Sequence, residues 1–155
     1  MMVGLGVTLS TLAIQGFASA LGAEAIIALL TRRAVGVHIR GNTLAMFALI
    51  LMLLVGHLVQ IAVWAIAFMA AREFAEFAVA FYHSAVNYTT LGYGDMVMSP
   101  RWRLLGPLEA AGGMLAFGWS TAVIVTVAIR LARVRHRAQF RSSAPPRSTT
   151  RGRFS

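Results

Sequence analysis

A short run at residues 89–95, Thr-Thr-Leu-Gly-Tyr-Gly-Asp, combines residue types that can bind a cation through backbone oxygens. Consecutive carbonyl groups can point to one side only if the backbone alternates between conformations that L-residues resist. Gly92 and Gly94 can adopt positive φ at little steric cost because they lack a Cβ atom. Thr90 can add a hydroxyl oxygen at one end of the run. These residues are therefore suited to replace the water around a cation.

Three long apolar stretches accompany this run, at residues 1–30, 44–71 and 104–130. The whole chain has 155 residues, of which 58% are hydrophobic and only 12% are charged. A soluble domain averages roughly 45–50% apolar and about 25% charged residues, so this composition excludes a soluble globular protein. A hydrocarbon core of about 30 Å needs about 20 helical residues. The sequence therefore predicts three transmembrane helices.

Residues 74–89 form a fourth segment, which is amphipathic and too short to span a bilayer. It lies between the second and third apolar stretches and leads directly into residues 90–94. Irregular backbone at membrane depth is tolerated only where protein buries it or water lines it. This order predicts a re-entrant loop, with a short helix at 74–89 followed by the glycine run.

The order of span, short helix, TTLGYGD and span resembles the pore of potassium channels, whose filter carries the related sequence TVGYG. The resemblance covers about residues 74–130, and the three-span layout is similar to bacterial channels with one pore loop, grouped with the two-pore-domain channels. It implies an all-α membrane protein with an outer helix at 44–71, a pore helix at 74–89 and an inner helix at 104–130. One filter segment per chain implies a homotetramer around a fourfold axis. The resemblance places K⁺ at Thr90, Leu91, Gly92 and Tyr93 as the permeant ion, and no cofactor is expected.

The filter sequence departs from the family in one position and lacks one usual partner. Leu91 stands where the family usually has Val, whereas Tyr93 separates the chain from non-selective variants with Asp there. Both side chains are expected to turn away from the axis and brace the filter. Asp95 is expected to support the filter from behind the outer mouth, although a solvated Asp is the alternative. The usual glutamate partner is replaced by Val86, so the candidate substitutes are Asn87, His83 and Glu109.

Glu109 lies one turn into the third span, where a carboxylate is a functional candidate by default. It is predicted to satisfy polar groups behind the filter or, alternatively, to reach the outer interface. By resemblance, Gly112 and Gly113 form the hinge that opens a gate; the alternative is close helix packing by small residues. The candidate cavity-lining residues are Ala116, Phe117, Ser120, Thr121 and Ile124.

Three polar residues lie at similar depth within the first two spans, namely Gln15, His57 and Gln60. We expect Gln15 to be the hydrogen-bond partner of the other two across the helix interface, because polar side chains hold helices together in membranes. A proton sensor at His57 is the alternative. Glu24 lies nearer the cytoplasmic end, and its role is open.

All 14 basic residues are arginines, and their distribution predicts the orientation. The loop at 31–43 contains Arg32, Arg33 and Arg40 without an acid, and eight arginines lie from Arg130 to the end. By the positive-inside rule, this loop and the basic tail at 131–155 are cytoplasmic and the N-terminus is outside. The same rule opposes reading the first span as a cleaved signal peptide. A bacterial inner membrane is the expected location.

The basic tail at 131–155 is rich in Ser, Pro and Arg, and we predict it to be disordered after an initial basic helix through RLARVRHR. Its expected partner is anionic lipid rather than nucleic acid. The predicted function is passive K⁺ conduction rather than catalysis, since the sequence shows no nucleophile–base pair, phosphate loop or cysteine. A weakly selective cation channel and a non-conducting membrane protein with a lipid-binding tail are the alternatives.

Overall fold

The computed structural model describes residues 2–31 and 39–142, and this part of the chain forms four helices and no strand. They are α1 (Met2–Thr31), α2 (Ile39–Ala70), α3 (Phe77–Tyr88) and α4 (Leu105–Ser142). Three of them are long and apolar enough to cross a membrane, over Gly4–Gly22, Thr43–Ala70 and Leu105–Val134. The predicted all-α membrane fold with three spans is therefore confirmed, with the short helix α3 between the last two.

Several helix ends differ from those predicted. Helix α2 begins at Ile39 rather than at 44, and α3 covers Phe77–Tyr88 rather than 74–89. The chain reverses direction after α2 through Arg72, whose φ is +61°, and Glu76 is still extended, so α3 starts later. Residues 32–38, with Arg32 and Arg33, lie outside the described residues.

The basic helix predicted through RLARVRHR continues the third span, but α4 runs on to Ser142, so the prediction of disorder directly after that helix is wrong for residues 138–142. Residues 131–142 contain four arginines and two alanines, which are good helix formers, and neither Gly nor Pro. The helix also starts from a stable membrane span, so it needs no new nucleus. Residues 143–155 lie outside the described part of the chain.

Helix α1 packs against both α2 and α4. It runs parallel to α4, since a Cβ atom at Gly4 would touch Leu105 and Leu108, while Gln15 lies beside Ser120 further along. It runs antiparallel to α2, because Gly22 lies against Met52 and Gln15 reaches Gln60. The small glycine side chains allow these close approaches. Helix α1 therefore lies behind the α2–α4 pair rather than apart from it.

Helix α3 is held between α2 and α4 by an aromatic core. Trp64 and Phe68 of α2, Tyr88 of α3 and Leu105 and Ala116 of α4 are all buried there. A second apolar cluster joins α2 to α4 further along the span and consists of Leu49, Leu53, Val127 and Leu131. The first cluster fixes where α3 ends, and so where the glycine run begins.

Candidate functional site

The glycine run follows α3 as a loop in which every second residue has a left-handed backbone. Thr90, Gly92 and Gly94 have φ values of +60°, +59° and +72°. The two glycines adopt this conformation freely, whereas Thr90 does so at a cost, since its Cβ atom is crowded there. The sequence predicted positive φ only at the two glycines and gave no indication of it at Thr90.

The amide N–H groups at the start of this loop point back to the last turn of α3. Thr90 N donates to the Asn87 carbonyl at 2.9 Å, and the N–H groups of Leu91 and Gly92 donate to the Val86 carbonyl at 2.9 and 3.3 Å. Across the described residues, no carbonyl from 90 to 94 accepts a backbone hydrogen bond. The first three N–H groups of the loop are therefore hydrogen-bonded, whereas its carbonyl oxygens accept no backbone hydrogen bond from the described residues.

A cavity of about 200 Å³ lies beside the loop, on the side of α3 and the start of α4. Its lining includes Gly92, Gly94, His83, Asn87 and Arg103. Asn87 was predicted to support a filter, and this role stays a prediction, although two of its groups form hydrogen bonds here. Its carbonyl holds Thr90, and its side-chain Nδ2 donates to His83 Nε2 at 2.9 Å.

Asp95 follows the loop, and its partner differs from the three predicted candidates. The hydroxyl group of Tyr82 on α3 donates to Asp95 Oδ2 at 2.8 Å. This hydrogen bond raises the pKa of Tyr82, because the carboxylate favours the protonated phenol. Asn87, His83 and Glu109 do not form this bond. The sequence did not show Tyr82, because the rotation of α3 about its axis decides which side chain reaches Asp95.

A second carboxylate, Glu73, holds the segment that follows the loop. Its two oxygens accept hydrogen bonds from the backbone N–H and the hydroxyl group of Ser99, at 2.7 and 2.6 Å. These bonds lower the pKa of Glu73, since they stabilise the ionised form. They connect the end of α2 to the segment before α4. Residues 90–98 are thus held at both ends.

Glu109 lies fully buried on α4 and contacts the short helix rather than the loop. Its Oε1 lies 2.5 Å from the hydroxyl oxygen of Ser84 on α3, which also lies 2.9 Å from the carbonyl oxygen of Ile61 on α2. The second oxygen, Oε2, is buried without a hydrogen bond of standard geometry among the described residues. The alternative of a Glu109 side chain at the outer interface is wrong, because none of it is exposed.

The adjacent glycines of α4 are both buried within an uninterrupted helix. A Cβ atom on Gly113 would lie 2.1 Å from the Tyr88 carbonyl oxygen, whereas one on Gly112 would lie 3.3 Å from Thr8 Cγ2. Gly113 is therefore where the end of α3 rests on α4. The structure supports the packing alternative for Gly113, and a hinge at this pair stays a prediction.

The candidate cavity residues divide between two faces of α4. Ala116 and Ser120 are buried against the other helices of the same chain, so the prediction that they line a pore is wrong. Phe117 and Thr121 are exposed, and Ile124 is partly exposed. The register of α4 could not be read from the sequence, because both faces of the helix are apolar.

The predicted polar contact between the first two spans is confirmed for Gln60. Its Nε2 donates to Gln15 Oε1 at 2.5 Å. His57 contacts Tyr88 and Ser120 instead, and it has no direct hydrogen bond to Gln15 among the described residues. The sequence had no signal for Tyr88 or Ser120 as partners, since a tyrosine and a serine also occur in loops and on surfaces.

Two spans that enclose a short helix and a loop of alternating left-handed residues define the pore-loop class of membrane proteins. A family model described as an ion channel matches residues 47–130, which is more than half of the chain. The protein therefore belongs to this ion-channel family. No curated protein and no solved structure matches the chain significantly. Helix α1 lies entirely before the matched region.

Proposed function

We propose that the protein is a potassium-selective channel that conducts K⁺ passively through a ring of backbone carbonyls from residues 90–94. The observation that carries this proposal is the alternation of positive φ at Thr90, Gly92 and Gly94. The N–H groups at the start of the loop are bonded to α3, so its carbonyl oxygens remain available. A potassium ion gives up its water without a large barrier only where such oxygens replace the hydration shell.

The ion sites are assigned to the successive oxygens of Thr90, Leu91, Gly92 and Tyr93. Thr90 adds its hydroxyl group at the inner end. The C-terminal end of α3 carries the negative end of the helix dipole and ends next to the loop, which favours a cation nearby. Asp95 and Asn87 hold the loop from outside the conduction path, while Glu109 holds the helix that precedes it.

The exposed side chains around the loop support a homotetramer. Three apolar or aromatic side chains near the loop are largely exposed: Leu91 by 54%, Tyr93 by 68% and Val97 by 84%. All three lie outside the membrane spans, so lipid would not cover them. Neighbouring subunits would cover them. One loop supplies one side of a carbonyl ring, and a closed ring of four requires cyclic symmetry. On this proposal Phe117, Thr121 and Ile124 face the central cavity.

The orientation completes the proposal, with the N-terminus outside and the basic end of α4 on the cytoplasmic side. Eight arginines from Arg130 onward would then lie next to the anionic leaflet. The protein acts as a conduit and not as an enzyme. Helix α4 would bend near Gly112 and Gly113 if the pore opens at its cytoplasmic end.

The test is ion flux in liposomes that contain the purified protein. We expect K⁺ to pass at least tenfold faster than Na⁺ through the wild-type protein, with empty liposomes as the control. Equal rates for the two ions would favour a weakly selective cation channel and refute the proposed selectivity. Absence of flux from liposomes that contain assembled protein would favour the non-conducting interaction protein.

A further inference from the structure

Five buried side chains from all four helices form a closed ring of hydrogen bonds. Tyr88 OH donates to Gln60 Oε1 at 3.1 Å, Gln60 Nε2 to Gln15 Oε1 at 2.5 Å, and Gln15 Nε2 to Ser120 Oγ at 2.6 Å. His57 closes the ring, with Nε2 3.0 Å from Ser120 Oγ and Nδ1 2.9 Å from Tyr88 OH. We call these five residues the polar ring.

The polar ring has a single direction. The amide groups of Gln15 and Gln60 can donate only through Nε2, and the one hydroxyl hydrogen of Tyr88 is given to Gln60. His57 Nδ1 must therefore donate to Tyr88, and Nε2 must accept from Ser120. Within the ring each member then donates once and accepts once, with a neutral His57 protonated at Nδ1, and Gln60 Nε2 also donates to the Gly56 carbonyl of its own helix at 3.3 Å. Buried polar networks are stabilising when every member is satisfied in this way.

The polar ring lies immediately behind the start of the glycine run. Tyr88 is the last residue of α3 and is only 1% exposed. Its side chain is held by the ring, and its carbonyl group rests on Gly113. The carbonyls of Val86 and Asn87, two residues and one residue earlier, hold the loop. A displacement of Tyr88 would therefore move the points to which residues 90–92 are attached.

Helix α1 supplies one member of this ring although it lies outside the matched channel region. Gln15 is 1% exposed and makes two of the five bonds, with Gln60 on α2 and Ser120 on α4. Without Gln15, the ring opens: Gln60 Nε2 keeps only the Gly56 carbonyl at 3.3 Å, and Ser120 Oγ keeps only His57 Nε2. Such groups cannot turn to water at this depth, so they seek new partners by moving.

We infer that Gln15 is a positioning residue for the ion-conducting loop, and that α1 acts on selectivity by holding Tyr88 through the polar ring. This inference rests on the proposed function. It assigns to the first span a role beyond membrane insertion and topology. The predicted consequence is specific: opening the ring alters ion discrimination more than it alters assembly.

The decisive comparison is Gln15→Leu against Thr11→Val. Leu is close to Gln in volume but cannot hydrogen bond. Thr11 is equally buried on α1, and its hydroxyl group donates only to the carbonyl of Thr8 in the same helix. We expect Gln15→Leu to lower the K⁺/Na⁺ permeability ratio about tenfold, and Thr11→Val to leave it within twofold. Oligomer size in detergent is measured for both proteins.

Tyr88→Phe keeps the volume of the aromatic side chain and removes only the hydroxyl group that joins His57 to Gln60. If Gln15→Leu fails to assemble, Tyr88→Phe tests the inference in its place. We expect Tyr88→Phe to lower the K⁺/Na⁺ permeability ratio to a similar extent. The inference would be overturned if the wild-type protein is selective and the assembled variants Gln15→Leu and Tyr88→Phe keep the same K⁺/Na⁺ permeability ratio. An equal fall in Thr11→Val would also overturn it, since packing alone would then explain the effect.

Nitrogen-15 magnetic resonance of His57 gives a readout that does not depend on flux. The wild-type protein should show one protonated nitrogen, Nδ1, and one unprotonated nitrogen, Nε2. We expect Gln15→Leu to produce a mixture of tautomers and Thr11→Val to keep the single one. If the wild-type protein passes K⁺ and Na⁺ equally, the proposed function fails. If Gln15→Leu keeps the single His57 tautomer, the coupling between α1 and Tyr88 is overturned.

Discussion

Replacement of Gly113 by alanine tests how the end of α3 is seated on α4. The added Cβ atom would lie 2.1 Å from the carbonyl oxygen of Tyr88, 3.0 Å from its carbonyl carbon and 3.3 Å from its Cγ. The first distance is far inside van der Waals contact, and the atom concerned belongs to the backbone. A flexible side chain could rotate away, but here α3 itself must move. The start of the glycine run would move with it.

The magnitude follows from two opposing effects. Overpacking a filled site costs typically about 1–3 kcal/mol, and a backbone obstacle places Gly113→Ala at or above the upper end of this range. Alanine in place of glycine inside a helix recovers only about 1 kcal/mol. We therefore expect a net loss of about 2 kcal/mol per chain. In the proposed homotetramer this loss would occur four times.

Two glycines of the same helix provide matched controls. A Cβ atom at Gly112 would lie 3.3 Å from Thr8 Cγ2, and one at Gly118 would have no neighbour within 4 Å. We expect Gly112→Ala to be close to neutral and Gly118→Ala to raise stability by up to about 1 kcal/mol.

The assay is the midpoint of thermal unfolding in detergent, together with K⁺ and Na⁺ flux after reconstitution. Gly113→Ala should lower the midpoint and the K⁺/Na⁺ ratio, whereas Gly112→Ala should change neither. Equal loss of flux in Gly112→Ala and Gly113→Ala, with unchanged stability, would refute the packing argument. That result would support a hinge instead.

Two further predictions concern the loop and the carboxyl group behind α3. Gly92→Ala should insert in the membrane but lose K⁺/Na⁺ discrimination. The φ of +59° costs an L-residue about 1–2 kcal/mol, although the nearest atom to the added Cβ would be 4.0 Å away. Membrane fractionation and liposome flux measure this, and retained selectivity would contradict it. Glu109→Gln should be tolerated, whereas Glu109→Ala should destabilise the protein by about 1–3 kcal/mol. The Ser84 hydroxyl group has one hydrogen, so it can donate to the Ile61 carbonyl only if the Glu109 carboxyl group donates to Ser84. Infrared spectra should show a protonated carboxylic acid that Glu109→Gln removes, and an ionised carboxylate there would refute this reasoning.

Local chemistry made the principal elements of this protein predictable. Long apolar runs determine membrane insertion through length and hydrophobicity alone, so the three spans could be located without knowledge of their packing. Gly92 and Gly94 indicated positive φ because only glycine adopts it freely, and the structure has both. Gln15 and Gln60 could be paired by depth, since a polar side chain inside a membrane needs a partner.

Choices of partner and facing were decided only by the tertiary structure. Asp95 bonds Tyr82, Glu109 contacts Ser84, and Ser120 faces its own chain rather than a pore. Each depends on how a helix is rotated about its axis. In a soluble protein the apolar stripe would reveal that rotation, but in a membrane the lipid-facing surface is as apolar as the core. The same reason hid the role of Gly113, whose neighbour Tyr88 is distant in sequence and is brought to it only by packing.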